Sequence, residues 1–313
     1  MVLTKFATVF SVFAALAFTL TAAHAEEVAA YAITDSTTGF VLESFNGQKK
    51  LPVASLTKIA TAMVVLDWSA STGSGLDQLA TVPASASRLV GGQGGTGMQP
   101  GDRASLRDLL YAGLMQSDNV AAETLADFVG RALGGQDAPV NTFVVQMNAL
   151  AHAKGMLKTK FLNPHGLDTL ERSVPTSTAE DMAKLTAYAM HDSAFRFYVS
   201  QKERKITIIG AGGEQSAYLL RNTNELLHVN GIDGVKTGTT AKAGQCVIIS
   251  AAKEPESRQE GDKHFITPRR LNVVVLGATN RFAVAQSLLA RGWQDYDSWA
   301  AAGRPAKGWK PPR

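Results

Sequence analysis

The sequence predicts an α/β protein of the α+β kind: one antiparallel sheet flanked by terminal helices, plus a helical lobe inserted between its strands. Two observations carry this. Alternating or continuous apolar runs suited to strands lie at both ends of the 313-residue chain, and helical spacing dominates the stretch between them. A third is negative. The chain holds one cysteine, Cys246, so no internal disulfide is available and a hydrophobic core must hold the fold.

Residues 1–25 are set apart first. Lys5 gives a short positive region, residues 6–20 are apolar, and Ala23-His24-Ala25 is a small-x-small cleavage site. The apolar run is short for a membrane span, so the expectation is a signal peptide cleaved after Ala25. The mature chain has no other stretch of transmembrane length, and the expected location is periplasmic or cell-wall-associated.

Residues 29–33 and 40–45 flank a Thr37-Thr38-Gly39 turn and read as a β-hairpin. Pro52 then precedes a helix whose stripe is Ile59, Ala60, Met63, Val64 and Leu66. Helical patterns continue to about Tyr198. Val120, Ala121, Leu125, Ala126 and Val129 form one of them, opened by Ser117-Asp118-Asn119. Residues 247–252 and 271–277 read as two apolar strands, with Cys246 a small buried strand residue. The charged stretch 254–267 between them reads as a mobile linker. Residues 283–299 have helical spacing and close the body. The domain expectation is a signal peptide 1–25 and a domain 26–300. Its sheet lobe covers about 26–58 and 200–300, its helical lobe about 59–199, and a tail follows at 301–313.

Composition excludes several functions. The net charge of +4 is small, and no basic, aromatic-interleaved stripe supports nucleic acid binding. The six histidines fall in no metal-ligand spacing, so neither a metal nor any cofactor is expected. Gly91, Gly92, Gly94, Gly95 and Gly97 crowd one segment without the Lys-Ser/Thr of a phosphate loop. They read as a surface loop near a cleft.

Three strings occur in order: Ser55-Leu56-Thr57-Lys58, Ser117-Asp118-Asn119 and Lys236-Thr237-Gly238. The first two patterns recur elsewhere, at Ser250-Ala251-Ala252-Lys253 and Ser44-Phe45-Asn46, whereas Lys-Thr-Gly occurs once. The ordered trio is therefore the signal. A serine hydroxyl needs a base to become a nucleophile, and a lysine three residues on shares its helical face. Burial and a second cation would hold that lysine neutral, and Lys236 is the expected second charge. Near a helix start, Ser55 would also sit among unpaired backbone N–H groups suited to an oxyanion.

The trio resembles that of penicillin-binding proteins and class A β-lactamases. Further strings are similar to the low-molecular-mass D-alanyl-D-alanine carboxypeptidase family of serine peptidases. They include Gln99-Pro100-Gly101-Asp102, Leu106-Arg107-Asp108-Leu109-Leu110, Asn163-Pro164-His165-Gly166-Leu167-Asp168, Ser177-Thr178-Ala179-Glu180-Asp181-Met182-Ala183 and Arg221-Asn222-Thr223-Asn224-Glu225-Leu226-Leu227. The resemblance spans about 31–299. It implies the β-lactamase/transpeptidase-like fold, with the catalytic centre between the lobes. The implied substrate is a peptidoglycan peptide ending in D-Ala-D-Ala, and β-lactam antibiotics are the implied covalent inhibitors.

In the implied mechanism Ser55 is the nucleophile and Lys58 the proton acceptor. Ser117 relays the proton, and Asn119 orients Lys58 and the substrate amide. Lys236, with Thr237 and Thr239, holds the terminal carboxylate beside Gly238. The backbone N–H groups of Ser55 and Thr239 form the oxyanion hole. His165 stays open between a structural and a catalytic part.

A β-lactamase of class A uses Glu-x-x-x-Asn for fast deacylation, and no such string lies between Asn119 and Lys236; Glu171 is followed by Arg-Ser-Val-Pro. A D,D-endopeptidase and a catalytically dead wall-binding module are the remaining alternatives. The chain ends in a Pro- and Lys-containing tail where many family carboxypeptidases carry a β-rich domain and an anchor helix, which strengthens the endopeptidase reading. Asp118 and Thr239 stand where the family often has glycine and histidine.

Overall fold

A computed structural model describes residues 28–92, 94–168 and 173–311. The residues of the expected signal peptide, and Glu171, lie outside them. The chain starts with the expected hairpin, β1 (Ala30–Asp35) and β2 (Val41–Phe45). A 3-10 turn, Ala54–Thr57, leads into α1 (Lys58–Thr72). Every residue from Lys58 to Leu66 is buried, so α1 has no single apolar stripe: it is a core helix wrapped on all sides. It ends at Gly73, left-handed at φ 67°, as a C-cap requires.

Next come β3 (Leu79–Thr81), β4 (Arg103–Ser105) and α2 (Leu106–Tyr111). A π-helical turn, Ala112–Gln116, precedes α3 (Asn119–Ala132), and α4 (Pro139–Ala153), α5 (Ala179–His191) and α6 (Ser193–Val199) complete the helices of this part. The chain then forms β5 (Glu203–Ile209), β6 (Gln215–Arg221), β7 (Ile232–Thr240), β8 (Gly244–Glu260), β9 (Lys263–Ala278) and α7 (Arg281–Ala301).

The main sheet has the order β2-β1-β9-β8-β7, all antiparallel. Its central strands are apolar on both faces because both are covered. Along β9, Val274 and Leu276 belong to the core shared with the helices, while Leu271, Val273 and Val275 pack toward α7. On β8, Cys246 and Ile248 face the helical side and Val247 and Ile249 the other. This is the two-residue alternation of a pleated strand applied to two cores at once.

Two expectations need correction. The chain between α1 and α6 is not purely helical: β3 and β4 join β5 and β6 in a second, four-stranded sheet. Two of its strands are three residues long, and β5 and β6 are mostly exposed, too short or too polar to give a period. Nor is 254–267 a linker. The strands β8 and β9 stay paired out to Glu260↔Lys263, across a tight turn at Gly261 and Asp262. Solvent touches both faces of this ribbon, so its charges carry no alternation. Arg258 lies over the Phe265 ring at 5.6 Å, and Glu256 pairs with Arg269 and Arg304.

Candidate active site

The strand β7 is an edge of the main sheet, so its outer backbone groups are free to face a cleft. The turn carrying Ser55 lies against it. A Cβ added to Gly238 would sit 2.9 Å from the Ser55 nitrogen and 3.1 Å from the Ala54 Cβ. Glycine is thus required there by close approach. The cleft between turn and strand has a volume of about 390 Å³, and its walls include Ser55, Gln116, Ser117, Asn119, Thr237, Gly238 and Thr239.

Lys58 is 2 % exposed, and its Nζ lies 2.9 Å from the Ser55 Oγ, 2.7 Å from the Asn119 Oδ1 and 2.8 Å from the His165 carbonyl oxygen. Burial pushes its pKa down to about 7, against the Asp118 carboxylate, which pulls the other way. A neutral amine has two N–H bonds. The Asn119 Oδ1 and the His165 carbonyl can only accept, so they take both. The remaining lone pair is left for the Ser55 hydroxyl, which is the arrangement of a general base and its nucleophile.

The loop after α4 aims that carbonyl. Asn163 Oδ1 accepts from the Gly166 N–H at 2.7 Å, and its amide donates to the Leu167 carbonyl at 2.9 Å. Thr61 donates to the Pro164 carbonyl at 2.6 Å. The His165 ring is fully buried, and its Nδ1 accepts from the Leu167 N–H at 3.2 Å. Burial, with the nearby positive charges of Lys58 and Arg88, drives its pKa well below the ordinary value. The ring is thereby held neutral, and the contact of this residue with Lys58 is made by its backbone carbonyl.

Ser117 does not start α3. It is left-handed at φ 70°, between the π-helical turn and the helix, and Asp118 is the N-cap, accepting from the Ala121 N–H at 3.0 Å. A serine with positive φ is uncommon and costs energy. Here it places the residue on the cleft wall. The second Asp118 oxygen accepts from the Thr96 N–H at 2.8 Å and hydroxyl at 2.6 Å. That tie holds the glycine-rich segment beside the cleft, where Gly91, Gly92 and Gly94 form part of the wall.

Lys236 is 1 % exposed and donates to the Thr237 carbonyl at 3.0 Å. Burial drives its pKa well below the ordinary lysine value, and the charges of Lys58 and Arg281 add to the effect. The cation lining the cleft at this end is Arg281, which sequence reasoning missed. Its guanidinium donates to the Thr239 hydroxyl at 2.8 Å and the Gly238 carbonyl at 3.2 Å. It is the first residue of α7, after the N-cap Asn280, where a cation opposes the helix dipole. A basic residue at a helix start was the available signal. Thr223, also missed, lines the cleft and contacts Thr237.

This fold, with a serine, a buried lysine and an edge strand meeting in one cleft, is that of the β-lactamase/transpeptidase-like class. The family profile described as D-alanyl-D-alanine carboxypeptidase matches residues 18–260. The chain belongs to that family of serine peptidases.

Among curated relatives, it is 33 % identical over 276 residues to D-alanyl-D-alanine carboxypeptidase DacC of Escherichia coli, covering 86 % of this chain and 62 % of DacC. It is 31 % identical over 283 residues to a D-alanyl-D-alanine endopeptidase of Pseudomonas aeruginosa, covering 89 % of this chain and 80 % of that one. Among solved structures, the Streptomyces K15 DD-transpeptidase superposes with a TM-score of 0.72 at 27 % identity, over 85 % of this chain and 97 % of that one. Penicillin binding protein 6B of E. coli gives 0.66 at 31 % identity, over 84 % and 76 %.

Proposed function

We propose that this chain is an exported serine D,D-peptidase that removes the terminal D-alanine from peptidoglycan stem peptides through a Ser55 acyl-enzyme. The observation that carries the reading is the Lys58 amine, buried, 2.9 Å from the Ser55 Oγ, with its two N–H bonds taken by Asn119 and the His165 carbonyl. Ser55 Oγ attacks the penultimate carbonyl, and its proton passes to Lys58. The oxyanion lies between the Ser55 N–H and the Thr239 N–H on β7. Proton delivery through Ser117 lets the terminal D-alanine leave as a neutral amine. Water then adds to the ester carbonyl and returns the proton to Ser55. The terminal carboxylate is received by the Thr237 and Thr239 hydroxyls and the Arg281 guanidinium, with the Lys236 amine beside them on β7.

A second reading, cleavage of cross-links by the same residues, is favoured by the similarity to the P. aeruginosa endopeptidase. Both readings predict covalent labelling by a fluorescent penicillin. The native protein should hold the label and Ser55→Ala should take none. Rapid release would mean a β-lactamase, and no labelling would defeat the acyl-enzyme. Release of D-alanine from a stem pentapeptide, against cleavage of a cross-linked dimer, separates the two readings.

A further inference from the structure

Thr223 belongs to none of the three strings. It follows β6, and its neighbours hold it firmly. Asn222 donates to the Val199 and Gln201 carbonyls at 3.1 and 3.0 Å, and Asn224 donates to the Gly234 carbonyl at 3.0 Å. Thr223 then spans the cleft's rim. Its backbone N–H donates to the Met115 carbonyl at 3.0 Å, and its hydroxyl donates to the same carbonyl at 3.2 Å. The Thr223 and Thr237 hydroxyl oxygens are 2.6 Å apart. A chain of polar groups thus runs from the π-helical turn before Ser117 to the edge strand.

Each hydroxyl has one proton. While Thr223 gives its proton to the Met115 carbonyl, the 2.6 Å contact is a hydrogen bond only if Thr237 donates to Thr223. Thr237 then shows the cleft lone pairs alone. A carboxylate is also an acceptor, so Thr237 cannot bind it in that state. Reversal solves this: Thr237 turns its proton to the carboxylate and Thr223 turns its own to Thr237. The Met115 carbonyl keeps the Thr223 N–H, so no buried acceptor is orphaned. A terminal carboxamide brings its own N–H and meets the unreversed state directly.

We infer that Thr223 is a positioning residue that sets the direction of the Thr237 hydroxyl and so the preference for a free C-terminal carboxylate. This rests on the proposed D,D-peptidase reading. In the reversed state Thr223 polarises Thr237 and fixes its rotamer, which strengthens its hydrogen bond to an anion.

The test uses the full mature protein, with Thr223→Val and Thr223→Ser. The substrates are a peptide ending in D-Ala-D-Ala and the same peptide as its C-terminal amide. With valine, KM for the acid should rise roughly tenfold while kcat changes less than about twofold, and kcat/KM for the amide should hold within about twofold. Serine should restore the native ratio of acid to amide. An unchanged ratio in the valine variant, equal losses on both peptides, or a serine variant that behaves like valine each overturns the inference. Thr223→Ala takes the place of valine if that variant does not fold. A native protein that cleaves neither peptide refutes the functional reading, and the inference with it. An active native protein with an unaffected valine variant refutes the inference alone.

Discussion

Acylation of Ser55 should follow the titration of Lys58. Burial lowers this amine from its ordinary 10.5 to about 7. At about pH 8 roughly nine-tenths of it is neutral and at about pH 6 roughly one-tenth, so the acylation rate should fall about tenfold between them. An exposed lysine would be neutral in only about one molecule in three thousand at pH 7, and its rate would keep climbing to about pH 10. His165 does not account for a limb near 7, because its pKa is driven well below the ordinary value. The assay is the second-order labelling rate by a fluorescent penicillin from about pH 5 to about pH 10 at constant ionic strength. Asp118→Asn provides the internal control. The Asp118 carboxylate raises the Lys58 pKa, so its removal should move the limb to lower pH. A limb centred near 10, a flat profile between about 6 and 8, or an upward shift in Asp118→Asn would refute the assignment of Lys58 as base.

The same titration has a stability counterpart. The folded pKa lies below the unfolded one, so the unfolded chain binds the extra proton and stability rises with pH from about 7 to about 10.5; the penalty, roughly 5 kcal/mol, is constant below that window. Lys58→Met should abolish that slope and be more stable at pH 7 by about 1–3 kcal/mol, less than the full penalty because Asn119 and the His165 carbonyl lose their donor. Urea melts at about pH 7 and about pH 10 measure this, and equal slopes in both proteins would defeat it. Gly238→Ala puts a methyl 2.9 Å from the Ser55 nitrogen. It should cost about 1–3 kcal/mol in stability and roughly a hundredfold in labelling rate, since the oxyanion site is displaced; an unaffected rate would mean that this approach does not matter.

Much of this fold could be read because its strongest signals are local. The hairpin β1–β2 is marked by its turn, and the apolar parts of β8 and β9 are continuous because two cores cover them. Ser55 and Lys58 are legible because a three-residue spacing fixes their mutual geometry on one helical face. What escaped depends on distant contacts. Arg281 offers only a basic residue at a helix start, which does not say that α7 begins beside Thr239, and nothing in Thr223 announces a hydroxyl 14 residues away. The left-handed backbone of Ser117 is invisible in a residue type that usually avoids it. The charged ribbon escaped for another reason: solvent on both faces erases the period that strand recognition needs.

Several features of the cleft are costly when taken singly. Lys58 and Lys236 are buried amines with depressed pKa values, Ser117 is left-handed, and Arg281 opposes its helix dipole. No local interaction compensates all of them. The compensation is that each is fixed by a different part of the fold: Lys58 by the core helix, Ser117 by the turn before α3, Lys236 by the edge strand, and Arg281 by the helix behind the sheet. Each cost is met by packing that would exist without the cleft. The groups therefore meet at one cleft, Ser117 and Arg281 on its wall and Lys58 and Lys236 buried behind it. On the proposed reading, a substrate carboxylate would meet the Arg281 guanidinium and its carbonyl would meet the Ser55–Lys58 pair, so the groups need no rearrangement to receive both.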